Sequence, residues 1–211
     1  MRWFRRRTPT PAPRPDAQVT TTGLNVPQRM VSHDIRFGYK TGWLAVRADS
    51  PGRVVATLGL QRAEDVDWAE GVSRAYDEGV LVMPPVNGWV LVMGVDILVR
   101  PPDVAALSRL LDTEVHSFAS HRVSDAYEWA RAVNGTIERQ FLTPEQGTWR
   151  AEGEPTDVER RLGLDVAETS DDGPWPDEET VLEVAGAWSI DPQLLDESMV
   201  DGRSAIWGVR P

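Results

Sequence analysis

Two apolar runs separated by a turn constrain this chain more than any other feature. Val80-Leu81-Val82-Met83 leads into Pro84-Pro85-Val86-Asn87-Gly88, and Trp89-Val90-Leu91-Val92-Met93-Gly94-Val95 follows. Neither run alternates polar with apolar residues, and strands that are apolar on both faces are usually covered on both faces. Asn87-Gly88 supplies the positive φ that a tight turn needs. The expectation is a β-hairpin in the middle of a sheet, with other elements packed above and below it.

The segments around the hairpin offer material for those layers. Val31, His33, Ile35 and Phe37 alternate with polar residues or glycine, as in a half-buried strand, and Trp43 to Ala48 suggests another. Ser50-Pro51 has the form of an N-cap followed by proline at the first helical position, for a helix ending near Gly59. Trp68, Val72, Ala75 and Tyr76 recur at helical spacing over 65–77, and Val104, Leu107, Leu110 and Leu111 do so after Pro101-Pro102-Asp103. Val115 to Ser120 is strand-like. Residues 124–133 have helix propensity, but Asn134-Gly135 between two similar runs favours a second hairpin, with Arg131 facing Glu138. Thr156-Asp157-Val158-Glu159 fits a capping box, Asp177-Glu178-Glu179 suits the start of a helix through Trp188, and Asp191-Pro192 starts a last short helix. The fold class expected is α+β, a mostly antiparallel sheet of about five or six strands packed by several amphipathic helices. Residues 1–22 read as a disordered basic, proline-rich tail. Residues 23–211 read as a single domain with an acidic, loop-rich region around 150–176.

Charge divides the chain unevenly. The net charge is −11, yet residues 1–16 hold Arg2, Arg5, Arg6, Arg7 and Arg14 against Asp16 alone, a local +4, so the remainder carries −15. Nucleic-acid binding depends on neutralising phosphates with basic side chains, which an acidic body disfavours. No stretch approaches the roughly 20 uncharged residues of a membrane helix, and the arginine cluster lacks the apolar region of an export signal. Cysteine is absent, which removes disulfides, thiolate metal sites and thiol nucleophiles. These features predict a soluble, cytoplasmic protein with no integral membrane span, no nucleic-acid partner and no cofactor.

Chemistry-bearing residues are sparse. Of His33, His116 and His121, the last two are separated by an odd number and would point to opposite faces of one strand, so no shared metal site is expected. His121, with Asp125 and Glu128 nearby, is the candidate acid–base set; its alternative is a strand-end histidine beside an Arg122 paired to a surface acid. No serine lies in a Gly-x-Ser-x-Gly elbow, and no glycine run has phosphate-loop or dinucleotide spacing. Trp89, Trp129 and Trp188 read as core anchors. Trp149, Trp175 and Trp207 lie in polar or glycine-containing stretches, where partial exposure and a recognition role stand open beside core packing. Trp149 and Trp175, with Asp171, Asp172, Asp177, Glu178 and Glu179, make the candidate partner-binding surface, since interface energy concentrates in tryptophan, tyrosine and arginine.

The run Pro84-Pro85-Val86-Asn87-Gly88-Trp89-Val90-Leu91-Val92-Met93-Gly94 resembles the central signature of an uncharacterised group of bacterial soluble proteins. So do His121-Arg122-Val123, Gly153-Glu154-Pro155-Thr156 and Ala187-Trp188-Ser189-Ile190-Asp191-Pro192, a likeness spanning roughly residues 40–195. That group has no agreed activity, and the resemblance carries over no catalytic residue. Since some small acidic bacterial proteins act as antitoxins or immunity proteins, it points to a partner-binding role. Two functions are therefore expected to compete: a non-enzymatic acidic module that captures a basic protein partner, of immunity or regulatory type, and a hydrolase using His121 with nearby carboxylates.

Overall fold

The hairpin forms where the sequence places it. A computed structural model describes residues 35–143, 149–165, 175–200 and 202–211. Strand β3 (Val80–Val82) pairs antiparallel with β4 (Trp89–Gly94), and Asn87 and Gly88 take φ of 50° and 81° between the mutually bonded Val86 and Trp89. Positive φ at both turn residues matches the right-handed strand twist, and glycine holds it without Cβ strain. Every residue of both strands is buried.

The described residues build one antiparallel sheet of nine strands, in the order β2-β9-β3-β4-β1-β5-β6-β7-β8, rather than five or six. Strands β1 (Gly42–Arg47), β5 (Glu114–His121), β6 (Ala126–Val133) and β7 (Thr136–Leu142) match the runs expected from sequence. The three unforeseen strands carry weak patterns. Strand β2 (Gln61–Val66) is a polar edge strand exposed at five of its six residues, β8 (Arg150–Glu152) has three residues, and β9 (Ala205–Val209) contains Gly208. Because β2 pairs with β9, helix α2 starts only at Trp68 (Trp68–Asp77), capped by Asp67. The strand expected over 31–37 does not extend into the described residues. Ile35 and Phe37 are buried and Arg36 exposed, but the Phe37 carbonyl accepts from Gln193 Nε2 at 2.6 Å instead of joining a ladder.

The ambiguous segment is a hairpin. Asn134 and Gly135 turn with φ of 49° and 89°. Arg131 lies 3.3 Å from Glu138, although a bulge between Arg131 and Ala132 sets Arg139 opposite it in register.

Helices cover both faces. Strand alternation sends Trp43, Leu91, Met93, Phe118, Trp129 and Phe141 toward α2, α5 (Asp157–Arg161) and α6 (Glu178–Trp188). Leu44, Val46, Val90, Val92 and Val115 point the other way, toward α1 (Pro51–Leu58), α3 (Val95–Val99) and α4 (Val104–Leu111). Ser50 caps α1 and Gly59 ends it in the left-handed conformation, as its sequence predicts. Leu110, counted in the apolar stripe of α4, instead faces solvent at 66% exposure. No helix among the described residues is long and apolar enough to cross a membrane.

Candidate functional site

His121 closes strand β5 on the face opposite His116. Its Nδ1 lies 2.6 Å from Ser124 Oγ, and the Ser124 N–H donates to the His121 carbonyl at 3.1 Å, so the pair closes the turn into β6. Asp125 follows in a left-handed conformation with its side chain exposed. Glu128 pairs in register with Ala119, beside Pro101 and Pro102 at a recess of about 30 Å³ that has room for no more than water. Burial raises its pKa, and a hydrogen bond with Gln140 opposes that shift. Among the described residues no hydrogen bond or ion pair joins His121 to Asp125 or Glu128; His121 bonds Ser124, and Glu128 bonds Gln140. Arg122 Nη1 reaches Glu178 at 3.6 Å, the ion-paired arrangement of the structural alternative.

The recognition residues separate in the same way. Asp171 and Asp172 lie outside the described residues. Of the tryptophans for which exposure and core packing both stood open, Trp149 is only 1% exposed and Trp207 is fully buried. Trp149 packs edge-on to Phe141 at 5.0 Å and stacks on Trp175 at 6.2 Å with a 19° interplanar angle. Trp175 is 44% exposed, so a buried indole supports a half-exposed one. Polar sequence around Trp149 left both alternatives open because a segment of loop can still turn one large side chain into the core.

The acidic triad after Trp175 is held by internal bonds. Asp177 caps α6 by accepting from the Thr180 N–H at 2.8 Å. Glu178 accepts from Ser120 Oγ and from the Lys40 N–H, both at 3.2 Å, and its side chain is 11% exposed. Glu179 accepts from the Tyr39 hydroxyl at 2.7 Å, which raises the tyrosine pKa. Glu178 and Glu179 fasten α6 to β5 and to residues 39–40, while Asp177 caps the helix; Asp177 and Glu179 still face solvent.

Two buried polar clusters were missed. Glu159 is fully buried and accepts from Arg139 Nε and Trp129 Nε1, each at 2.8 Å, through one oxygen. Its other oxygen accepts from the Thr156 N–H at 2.7 Å and the Thr156 hydroxyl at 2.6 Å. The capping-box spacing signalled the second set; the first depends on strands β6 and β7 lying beneath α5. His116 is also fully buried, among Trp89, Phe118 and Trp188. Burial lowers its pKa to about 4, against a hydrogen bond to Glu114 that raises it. The ring is therefore neutral near pH 7, and Nε2–H donates to the Glu114 carboxylate at 2.9 Å. Arg131 Nε also lies 2.8 Å from that oxygen without the alignment of a hydrogen bond, a charge contact only.

No group of three or more histidine, aspartate or glutamate side chains among the described residues is placed to hold a metal ion. Among the described residues, one cleft of about 380 Å³ lies at the opposite end of β1 and β5 from His121, and another of about 230 Å³ lies beside Trp68 and Arg203. No family model, curated protein or solved structure matches the chain, so its function has to be argued from its own residues.

Proposed function

We propose that this chain is a non-enzymatic protein-binding module of immunity or regulatory type, acting in the cytoplasm on a basic protein partner. One observation carries the reading: Trp175 is presented half-exposed on a buried tryptophan, with Asp177 and Glu179 open to solvent close by in the chain. An indole already fixed by stacking loses little conformational freedom on binding, which is what an interface anchor requires. The −15 charge outside the N-terminal segment adds a long-range field that would speed capture of a cationic partner. The motif resemblance agrees with partner binding and supplies no activity to set against it.

The test is capture of the partner from the native host at low salt, followed by binding kinetics with the purified pair. Trp175→Ala should weaken binding by about 2 kcal/mol, some 30-fold. Neutralising Asp171, Asp172 and Glu179 should slow association and flatten its salt dependence. Binding that ignores both changes removes the reading.

A second reading, a hydrolase working through His121, is favoured by the 2.6 Å contact with Ser124. It requires ester hydrolysis that His121→Ala and Ser124→Ala each abolish. Equal rates in the parent and both variants dispose of it.

A further inference from the structure

The cleft at the far end of β1 presents four charges that make no ion pair among the described residues. Its volume of about 380 Å³ falls near the lower end of the roughly 300–1,000 Å³ common for small-ligand pockets. Arg47, Asp49, Arg53 and Asp112 line it. Two are cations and two are anions, yet none of the four forms an ion pair with another or with any described residue.

The cations are nonetheless positioned. Arg53 Nη2 donates to the Leu111 carbonyl at 2.8 Å, at the C-terminal end of α4. The Arg47 guanidinium lies 5.2 Å from the Trp89 ring. A carbonyl and a ring face orient these guanidiniums without neutralising them. Asp112 is fixed as the left-handed residue ending α4, and Asp49 directly precedes the cap of α1.

We propose that this cleft binds a small zwitterion of the α-amino-acid or short-peptide class. Its carboxylate would meet Arg47 and Arg53, whose planar forks suit carboxylates, and its ammonium would meet Asp49 and Asp112. A simple anion entering the cleft encounters two carboxylates, and a simple cation two guanidiniums. Only a ligand carrying both signs gains at all four side chains, each of which is open to solvent. Orientation of the guanidiniums before binding lowers the ordering cost. This site is independent of the Trp175 surface.

Titration of the ¹⁵N-labelled full chain tests the proposal, with glycine, alanine and dialanine as probes and acetate and ethylamine as single-charge controls. The zwitterions should shift the amide resonances of Gly52, Gly88 and Asp112 saturably, at concentrations about tenfold below either control. Asp112→Asn suits the left-handed backbone and keeps the fold. That variant and Arg47→Gln should each weaken the zwitterion response about fivefold or more while leaving Tm in place. Controls that bind as well as the zwitterions, shifts that do not saturate, or variants that titrate like the parent would each overturn it.

Discussion

Beneath α1, α3 and α4 the buried cluster is wholly aliphatic, built on Leu44, Val46, Val80, Val82, Val90, Val92 and Ile97. Beneath α2, α5 and α6 the same strands present Trp43, Trp89, Trp129, Trp207, Phe118 and Phe141, and Trp68 and Trp149 join them. The first cluster contributes apolar burial and shape without polar atoms to satisfy. The second brings indole N–H groups and two ionisable clusters into the interior, where each polar atom costs free energy unless it is bonded. Some are bonded, as Trp129 is to Glu159; Trp43 Nε1, Trp149 Nε1 and His116 Nδ1 have no hydrogen-bond partner among the described residues. The aliphatic side therefore depends on volume, whereas the aromatic side depends on which donor meets which acceptor. Substitutions should discriminate between the two.

The largest effect is expected at Glu159. Glu159→Ala leaves the buried Arg139 without its counter-charge and should cost about 3–5 kcal/mol, read as a lower urea midpoint at constant slope. A loss below about 1 kcal/mol would mean that water satisfies the arginine, and the contrast between the faces would weaken. On the aliphatic side, Val92→Thr preserves shape but buries a hydroxyl among side chains that offer it no acceptor. The expected loss is about 1–3 kcal/mol by the same measurement.

The pH dependence sharpens the comparison. Because the folded pKa of His116 is depressed to about 4, the unfolded chain takes up its proton near pH 6.5 while the folded chain does not. Stability should fall as pH drops from about 6.5 toward 4, with a limiting slope near 1.4 kcal/mol per pH unit from this group. Urea midpoints at pH 7 and pH 5 should therefore differ less in His116→Leu than in the parent. An unchanged difference would assign the acid sensitivity elsewhere. The smallest effect is expected at Trp175, where Trp175→Ala should change stability by less than about 1 kcal/mol because the ring is half exposed. A larger loss would make it a core residue and count against its use as an anchor.

Much of the fold was legible because its strongest elements are local. The Asn87-Gly88 and Asn134-Gly135 turns need only two residues with positive φ, and Ser50, Asp103 and Asp177 cap helices within three positions of themselves. Strands β2, β8 and β9 were not legible, since edge position and short length leave no apolar pattern, and β9 meets β2 and β3 only after more than 100 intervening residues. The candidate site was read less well. His121, Asp125 and Glu128 sit close along the chain, but the strand-and-turn geometry gives each its own surroundings. Ser124, His116, the Arg139–Glu159 pair and the charges around the cleft at Arg47 have no motif spacing to announce them.

Residue order alone specified the two apolar runs, the turns between strands, the helix caps and the acidic balance, because these depend on neighbours a few positions apart or on simple counts. Tertiary structure decided that Trp149 lies inside and Trp175 half outside, that Glu178 serves as a fastener, and that Arg47, Asp49, Arg53 and Asp112 share a cleft. Burial and pairing are properties of distance in space, and in a sheet ordered β2-β9-β3-β4-β1-β5-β6-β7-β8 spatial neighbours are often remote in sequence.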